Sequence, residues 1–565
     1  MMIELPPGII LILGAFLVPF LRGNLRNAYM LALPLIGIWS LLTITEGSHF
    51  SMSIFGYGLS PVRIDSLSLL FGYIFHIAAI ISIIYAFHIR DTVQQMAGLI
   101  YAGSAIGGAF AGDLITLFVY WEGTAIASVF LIWSSKTESS YRAGMRYLII
   151  QVGSGVLLLA GAIIHFKQTG SIAFDKLGLT GLGPTLIFIA FGIKAAFPLL
   201  HNWLTDSYPE ATITGTVFLS AFTTKLAIYA LARGFPGTEM LIWIGAIMTA
   251  FPIFYAVIEN DLRKVLAYSL NNQLGFMVVG VGIGTELALN GTAAHAFSHI
   301  LYKALLFMSM GAVLYRTGTI KGSELGGLYK TMPFTTGFCI IGAASISAFP
   351  LFSGFISKSL IITATAHEGH WIVWAILLFA SAGVFHHSGI KIPYFAFFAH
   401  DSGKRPEEAP TNMLIAMGFA AFLCVAIGVF PEYLYSILPY KVDFTPYTTT
   451  HVVTQLQLLF FSALAFGWLT RTGLYPPELK STNLDFDWTY RRLIPNIISE
   501  MGRILSVLDN MVRSMFINRL EGFIAGVFRH HGPEGLLART NSVGASVAVI
   551  VALLAIVVIL FFLNY

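Results

Sequence analysis

GDLITLFVYWEGTAIASVFLIW, residues 112–133, carries one carboxylate, Glu122, in the middle of an apolar run and a second, Asp113, at its start. A stretch of this length and character is enough to cross the hydrocarbon of a bilayer as a helix. Asp113 stands at its start, where a side-chain oxygen caps the first turn and complements the helix dipole. Runs of the same kind recur along all 565 residues, separated by short polar connections. The chain is 56% hydrophobic and 11% charged with mean hydropathy +0.78, whereas soluble domains carry roughly 25% charged residues. One large membrane domain follows, and an anchored soluble domain is excluded.

The net charge of +4 is small and dispersed, which gives no footprint for nucleic acid. Cys339 and Cys424 lie in separate apolar runs, so neither a disulfide framework nor a metal-ligand spacing is present. No flavin, iron–sulfur or haem motif occurs, and no cofactor is expected. The first apolar run follows Glu4 without a basic leader or small-residue cleavage site, and reads as a retained helix.

Hydropathy predicts an all-α protein with spans at 6–21, 27–45, 65–88, 95–111, 113–133, 142–166, 184–204, 212–232, 240–258, 264–284, 288–315, 333–362, 371–398, 411–430, 452–470 and 543–563. Setting aside the long connection at 471–542, the connections after odd-numbered spans hold thirteen Lys and Arg, and those after even-numbered spans five. Basic loops face the cytoplasm, which predicts an outside N-terminus in the cell inner (plasma) membrane.

With Arg142, Arg146 and Lys264, at the starts of their spans, counted among the connections, five basic residues remain within the spans, all lysines: Lys194, Lys225, Lys303, Lys358 and Lys391. A desolvated lysine can give up its proton and an arginine cannot. An ionisable group at this depth costs several kcal/mol and marks a functional path unless it snorkels to the headgroups. Lys391 is near a span end, followed by Pro393, and both readings stay open for it. Glu122 is the candidate partner of Lys194: together the two charges are tolerable, and parting them would free the lysine's proton.

Two spans carry a proline near a lysine: FGIKAAFPLLHNWL (191–204, with Pro198) and SISAFPLFSGFISK (345–358, with Pro350). Proline breaks the helix ladder, which is tolerated at depth only under protein cover or beside a polar cavity. Paired broken helices in two halves point to an ion site, and the reversed order of lysine and proline is what an inverted repeat would give. His295, His299 and Lys303 lie at i, i+4 and i+8 on one helix face. A metal or haem site lacks a third ligand, so no metal is expected. A proton-relaying stripe and plain helix–helix hydrogen bonding both remain. His386–His387 and His530–His531 read as peripheral. From about 497, Ile497, Met501, Ile504, Leu508, Met511 and Met515 fall at helical spacing with charges between them, an amphipathic helix that Gly532-Pro533 ends. Its basic character suits a position along the inner membrane surface or across neighbouring helices.

Six stretches carry a resemblance: RIDSLSLLF (63–71), the Glu122 helix, KAAFPLLHNWLTDSYPEA (194–211), ENDLRKVLAYSLNNQLGFM (259–277), HAFSHILYKALLF (295–307) and AFPLFSGFISK (348–358). In order and spacing they resemble the antiporter-like subunits shared by respiratory complex I, membrane-bound hydrogenases and Mrp-type multisubunit Na+/H+ antiporters. Beyond residue 380 the chain looks most like the D-type member of the Mrp group. LTDSYPEATITG departs from that pattern, since relatives have a proline near Thr205 and another near Thr214.

The resemblance implies two inverted five-helix repeats with broken helices, and a lateral helix before a last span. It divides the chain into 1–94, two antiporter halves at 95–232 and 240–398, spans at 411–470, the cytoplasmic-side lateral helix at 471–542, and a final helix at 543–565. It pairs Glu122 with Lys194 and makes Lys225 a bridge. His295, His299 and Lys303 become a central link and Lys358 the terminal lysine, while Lys391 has no place in it. The implied activity is proton conduction with monovalent cation (Na+)/H+ antiport. A redox-driven pump subunit of hydrogenase, formate hydrogenlyase or NADH dehydrogenase type is the alternative, and a scaffold docking a soluble enzyme the third. Expected partners are other membrane subunits, including further antiporter-like ones, the lipid bilayer, H+ and Na+.

Overall fold

A computed structural model describes residues 6–54, 57–476, 478–479 and 483–563. The chain divides into two compact units, Met1–Asn483 and Leu484–Tyr565.

In the first unit, α1 (Ile9–Ala15) and α2 (Gly23–Thr43) lead into strands β1 (Gly47–His49), β2 (Met52–Ile54), β3 (Tyr57–Leu59) and β4 (Val62–Ile64). β1 pairs antiparallel with β4 and β2 with β3, so the fold is all-α apart from this small extended loop. Asp65 then opens α3 (Ser66–Tyr85) with a capping box to Ser68. Next come α4 (Thr92–Phe110), α5 (Leu114–Trp133) and α6 (Glu138–Thr169), followed by the pieces α7 (Leu182–Lys194), α8 (Asn202–Ser207), α9 (Ile213–Ala221) and α10 (Thr223–Gly234). The succession then recurs as α11 (Glu239–Ile258), α12 (Leu262–Ile283), α13 (Glu286–Thr317), α14 (Pro333–Ile346), α15 (Ser353–His367) and α16 (Trp371–Val384). After α17 (Lys391–Pro393), the unit closes with α18 (Thr411–Val429), α19 (Pro431–Tyr435) and α20 (Thr449–Arg471).

Eleven helices among the described residues are long and apolar enough to cross a membrane, and each falls in one of the sixteen expected spans. The other five spans have physical reasons to fall short. Residues 6–21 form only the seven-residue α1 and a 3-10 turn. α4 and α12 are helical, but buried Gln94, Gln95, Asn271, Asn272 and Gln273 lower their hydropathy. Spans 184–204 and 333–362 are each broken into two shorter pieces.

The two breaks have the same local structure. Both read Ala-Phe-Pro-Leu, with positive φ at the first and last residue: Ala196 (61°) and Leu199 (70°), Ala348 (57°) and Leu351 (73°). In each, the phenylalanine amide donates five residues back, Phe197 to Gly192 O and Phe349 to Ala344 O, both at 3.0 Å. Left-handed conformations at non-glycine residues cost about 1–3 kcal/mol each, so four of them represent stored strain at two matched places. The caps match as well: Asp113 accepts from the Ile115 and Thr116 amides at the head of α5, as its position predicts, and Asp261 accepts from Arg263 and Lys264 at the head of α12.

The second unit holds α21 (Ile494–His531), which runs 38 residues and ends at Gly532 as expected, and α22 (Val543–Leu563). α21 is amphipathic, and neither helix buries a residue. His530 and His531 are exposed at the end of α21, in keeping with the reading made of them.

A methyl group on Gly354 would overlap the Ser345 carbonyl across the second break. Backbone cannot yield as a side chain can, so Gly354→Ala is expected to destabilise the protein by about 1–3 kcal/mol. Thermal unfolding of the purified protein checks this; an unchanged melting temperature would show that the break is loosely packed.

Candidate functional site: a row of buried lysines

All five intramembrane lysines are buried, none more than 1% exposed. Lys194 is the last residue of α7, just ahead of the first break. Its Nζ donates to the Trp121 carbonyl (2.5 Å) and the Thr124 hydroxyl (2.7 Å) on α5, and lies 4.3 Å from the Trp121 ring centroid. That ring is held in turn: Trp121 Nε1 donates to Ser154 Oγ (3.0 Å), which donates to the Ala190 carbonyl (2.8 Å). Three helices thus position one ammonium.

Glu122 sits between those anchors in sequence but points elsewhere. Its carboxylate packs against Gly155 of α6, and Oε1 is buried without a hydrogen-bond partner. The expected pair therefore takes a looser form: no Glu122–Lys194 ion pair is closed among the described residues, although the charges are within electrostatic reach.

Lys225 donates to the Ser220 carbonyl across the discontinuity at Phe222, where α9 gives way to α10. His299 and Lys303 are within its electrostatic reach. Neither ring nitrogen of His299 has a hydrogen-bond partner among the described residues, nor does Lys303 Nζ. His295 is better held. Its Nδ1 is 3.0 Å from Ser357 Oγ, and its Nε2 is 3.4 Å from the Tyr302 hydroxyl, which donates to Gln273 Oε1 (3.1 Å). Ser357 adjoins Lys358, whose Nζ donates to the Ile346 carbonyl (2.8 Å) at the second break and faces the Phe276 ring at 5.2 Å. The structure thus brings His295, His299, Lys303, Lys225 and Lys358 together, and places Pro198 and Pro350 in the breaks.

Lys391 does not snorkel. Its Nζ is 2.9 Å from Glu478 Oε1 and donates to the carbonyls of Val257 (2.6 Å), Glu259 (2.7 Å) and Ala256 (3.3 Å). The peripheral reading of His387 is corrected: it is fully buried, one helical turn before Lys391. That i, i+4 spacing was a signal in the sequence. Glu478 carried none, since it lies in a polar connection and is recognisable only by what it touches. No cluster of metal-ligating side chains occurs among the described residues.

Residues 111–385 match the family model for the transmembrane part of NADH:quinone oxidoreductase and Mrp antiporter proteins. Over this core, just under half of the chain, it is similar to the membrane subunits shared by Mrp antiporters, complex I and hydrogenases. It is 28% identical to the D-type component of the Na(+)/H(+) antiporter of Alkalihalophilus pseudofirmus, over 72% of this chain and 88% of that one. Against the N-type component of the NADH-quinone oxidoreductase of Desulforudis audaxviator it is 29% identical, over 74% and 92%. Hydrogenase-4 component B of Escherichia coli is 26% identical, over 66% and 63%. In fold it is similar to a chain of an archaeal membrane-bound sulfane sulfur reductase, with TM-score 0.72 at 22% identity over 98% of this chain and 100% of that one. A chain of the Mrp complex from Dietzia gives TM-score 0.69 at 20% identity, over 82% and 99%. The protein is thus a multi-pass membrane protein with the antiporter-like fold.

Buried polar groups without partners cost stability. Lys303→Met and His299→Leu are therefore expected to leave the melting temperature of the purified protein unchanged or raised, because the replacements are apolar and near in volume. A clear fall in melting temperature for both would show that these side chains hold the fold together.

Proposed function

We propose that this chain is a proton-conducting, antiporter-like subunit of a multisubunit membrane complex, working in monovalent cation (Na+)/H+ antiport. The observation that carries this reading is the contiguous buried row between two matched helix breaks. Its central members, His299 and Lys303, have no hydrogen-bond partner among the described residues, so they are stable at membrane depth only where water reaches them. A hydrated stripe with titratable groups on it is a proton path.

In this reading the two breaks mark two inverted five-helix repeats, with the N-terminus outside and the basic loops in the cytoplasm. A proton enters near Lys194 or Lys225, passes His299 and Lys303, and reaches Lys358, with His295 and Ser357 bridging to it. Glu122 is the switch. When its carboxylate swings from Gly155 toward Lys194, the ammonium is held; when it swings back, the lysine releases its proton along the row. A driving event elsewhere in the complex need only bias that rotamer.

The Na+ assignment draws on the antiporter relative, similar over most of both chains. The second reading, a pump subunit of a redox-driven complex, is supported by the extent of the likeness to the sulfane sulfur reductase chain. Electrons would then be handled by partner chains. Co-purifying subunits and the Na+ dependence of transport separate the two.

Vesicles containing the intact complex, with a pH-sensitive dye inside, test the shared core. Lys194→Ala and Glu122→Gln are expected to lose most proton movement. Gly155→Ala, which displaces the Glu122 carboxylate without touching either charge, is expected to lose nearly as much. Wild-type rates in Lys194→Ala or Glu122→Gln would contradict the mechanism.

A further inference from the structure

We propose that Lys358 is not the end of the path: a further limb runs through His387 and Lys391 to Glu478, and opens on the face that carries Glu259, Lys264 and Lys321. The proposal rests on the reading of the buried row as a proton path and adds three residues to it, His387, Lys391 and Glu478.

The geometry is continuous. Lys358 is bonded to the Ile346 carbonyl, and the next residue, Ser347, has its hydroxyl against Gly389, where a methyl group would overlap it. Gly389 belongs to Phe385–Ile390, one of two π-helical stretches that flank Lys391, the other being Tyr394–Phe398. Such wide turns in an α-helix occur frequently at functional sites. His387 lies in the first of them. Its Nδ1 is 2.9 Å from Ser388 Oγ and its Nε2 is buried without a partner. Lys303, Lys358 and Lys391 are all within its electrostatic reach, so one imidazole lies among the end of the row and the next lysine.

The outer part of the limb is a buried charge cluster. Lys391 meets Glu478 at 2.9 Å. Glu259 pairs with Lys264 at 3.2 Å and accepts from Asn483 at 3.1 Å. The two carboxyls are shifted in opposite directions. Burial pushes the Glu478 carboxyl above the usual carboxylate range, and Lys391 opposes this only in part. Burial acts on Glu259 too, but Lys264 and the Asp261 amide outweigh it and hold that carboxyl low. Glu478 is thus the member that can take a proton, and Glu259 the fixed counter-charge.

The step balances within the pair. The Lys391 Nζ–H bond breaks as a Glu478 Oε1–H bond forms, which leaves a neutral amine and a neutral acid. The acid passes its proton to water at the loop face, the amine takes a proton from the His387 imidazolium, and that imidazolium is formed by a proton released from Lys358, which is left as the amine until the row recharges it. A 2.9 Å separation is within reach of direct transfer.

The competing account is structural: Lys391 caps the last carbonyls of α11, as basic side chains do at helix C-termini. Lys391→Arg separates the two, since an arginine keeps the charge and the hydrogen bonds but cannot release a proton. In vesicles of the intact complex, Lys391→Arg and Glu478→Gln are expected to assemble with their partners yet lower proton transport by roughly tenfold or more. Wild-type rates in both, with Lys194→Ala inactive beside them, would overturn the limb and leave the main path standing. Should Lys391→Arg fail to assemble, Glu478→Gln decides alone, because it is isosteric and removes only the carboxylate charge. If Lys194→Ala is fully active, the broader reading fails and this limb falls with it, an outcome distinct from the loss of the limb alone.

Discussion

A backbone carbonyl or an ammonium left bare in a membrane interior costs several kcal/mol, and the core of this protein is arranged around that cost. Each helix break frees carbonyls, and each finds a donor. Ile193 O accepts from the Trp203 indole at 2.8 Å, and Ile346 O accepts from Lys358. The end of α11 is closed in the same way by Lys391. Lys225, Lys358 and Lys391 therefore stand where helices stop, each satisfying a backbone that would otherwise be orphaned. The break and the charge justify one another, and neither is tolerable alone.

That pairing divides the titratable groups into two kinds. Lys194, Lys225, Lys358 and Lys391 are anchored on oxygen acceptors. His299 and Lys303, between them, are not. In the proposed path the anchored lysines are stations at which a proton rests, and the unanchored centre is the link it crosses. Glu122, turned to Gly155, adds the element that can change without any helix moving. A path built of fixed stations and one swinging carboxylate suits a subunit driven from outside itself.

Much of this was legible in the sequence, because membrane depth makes every exception conspicuous. Five lysines among apolar residues, the Ala-Phe-Pro-Leu stretches beside two of them and one mid-span carboxylate stand out without any alignment. The ends of α5 and α21 followed from Asp113 and Gly532, whose cap and stop roles are local. What was not legible depends on tertiary geometry. The rotamer of Glu122 is chosen by a glycine on another helix, and Glu478 by a lysine 87 positions earlier in the chain. His387 was passed over because adjacent histidines near a span end resemble an interfacial pair. The strands at 47–64 are too short to impose a period on the sequence. Five of the sixteen spans do not stand out as long apolar helices: one is short, two are broken, and α4 and α12 are covered by protein, which relieves them of the need to be apolar.

The central claim is that protons pass from lysine to lysine through the unanchored centre. The most direct measurement is nitrogen NMR of lysine side chains in the intact, membrane-embedded complex, with the Lys303 signal assigned by its loss in Lys303→Met. Ammonium and amine nitrogens are distinguishable, so the protonation state is read at one residue. The account predicts that the Lys303 signal moves between the two forms when the complex is driven and returns when it rests. A Lys303 nitrogen that keeps one form throughout, while the complex transports at its full rate, would contradict it.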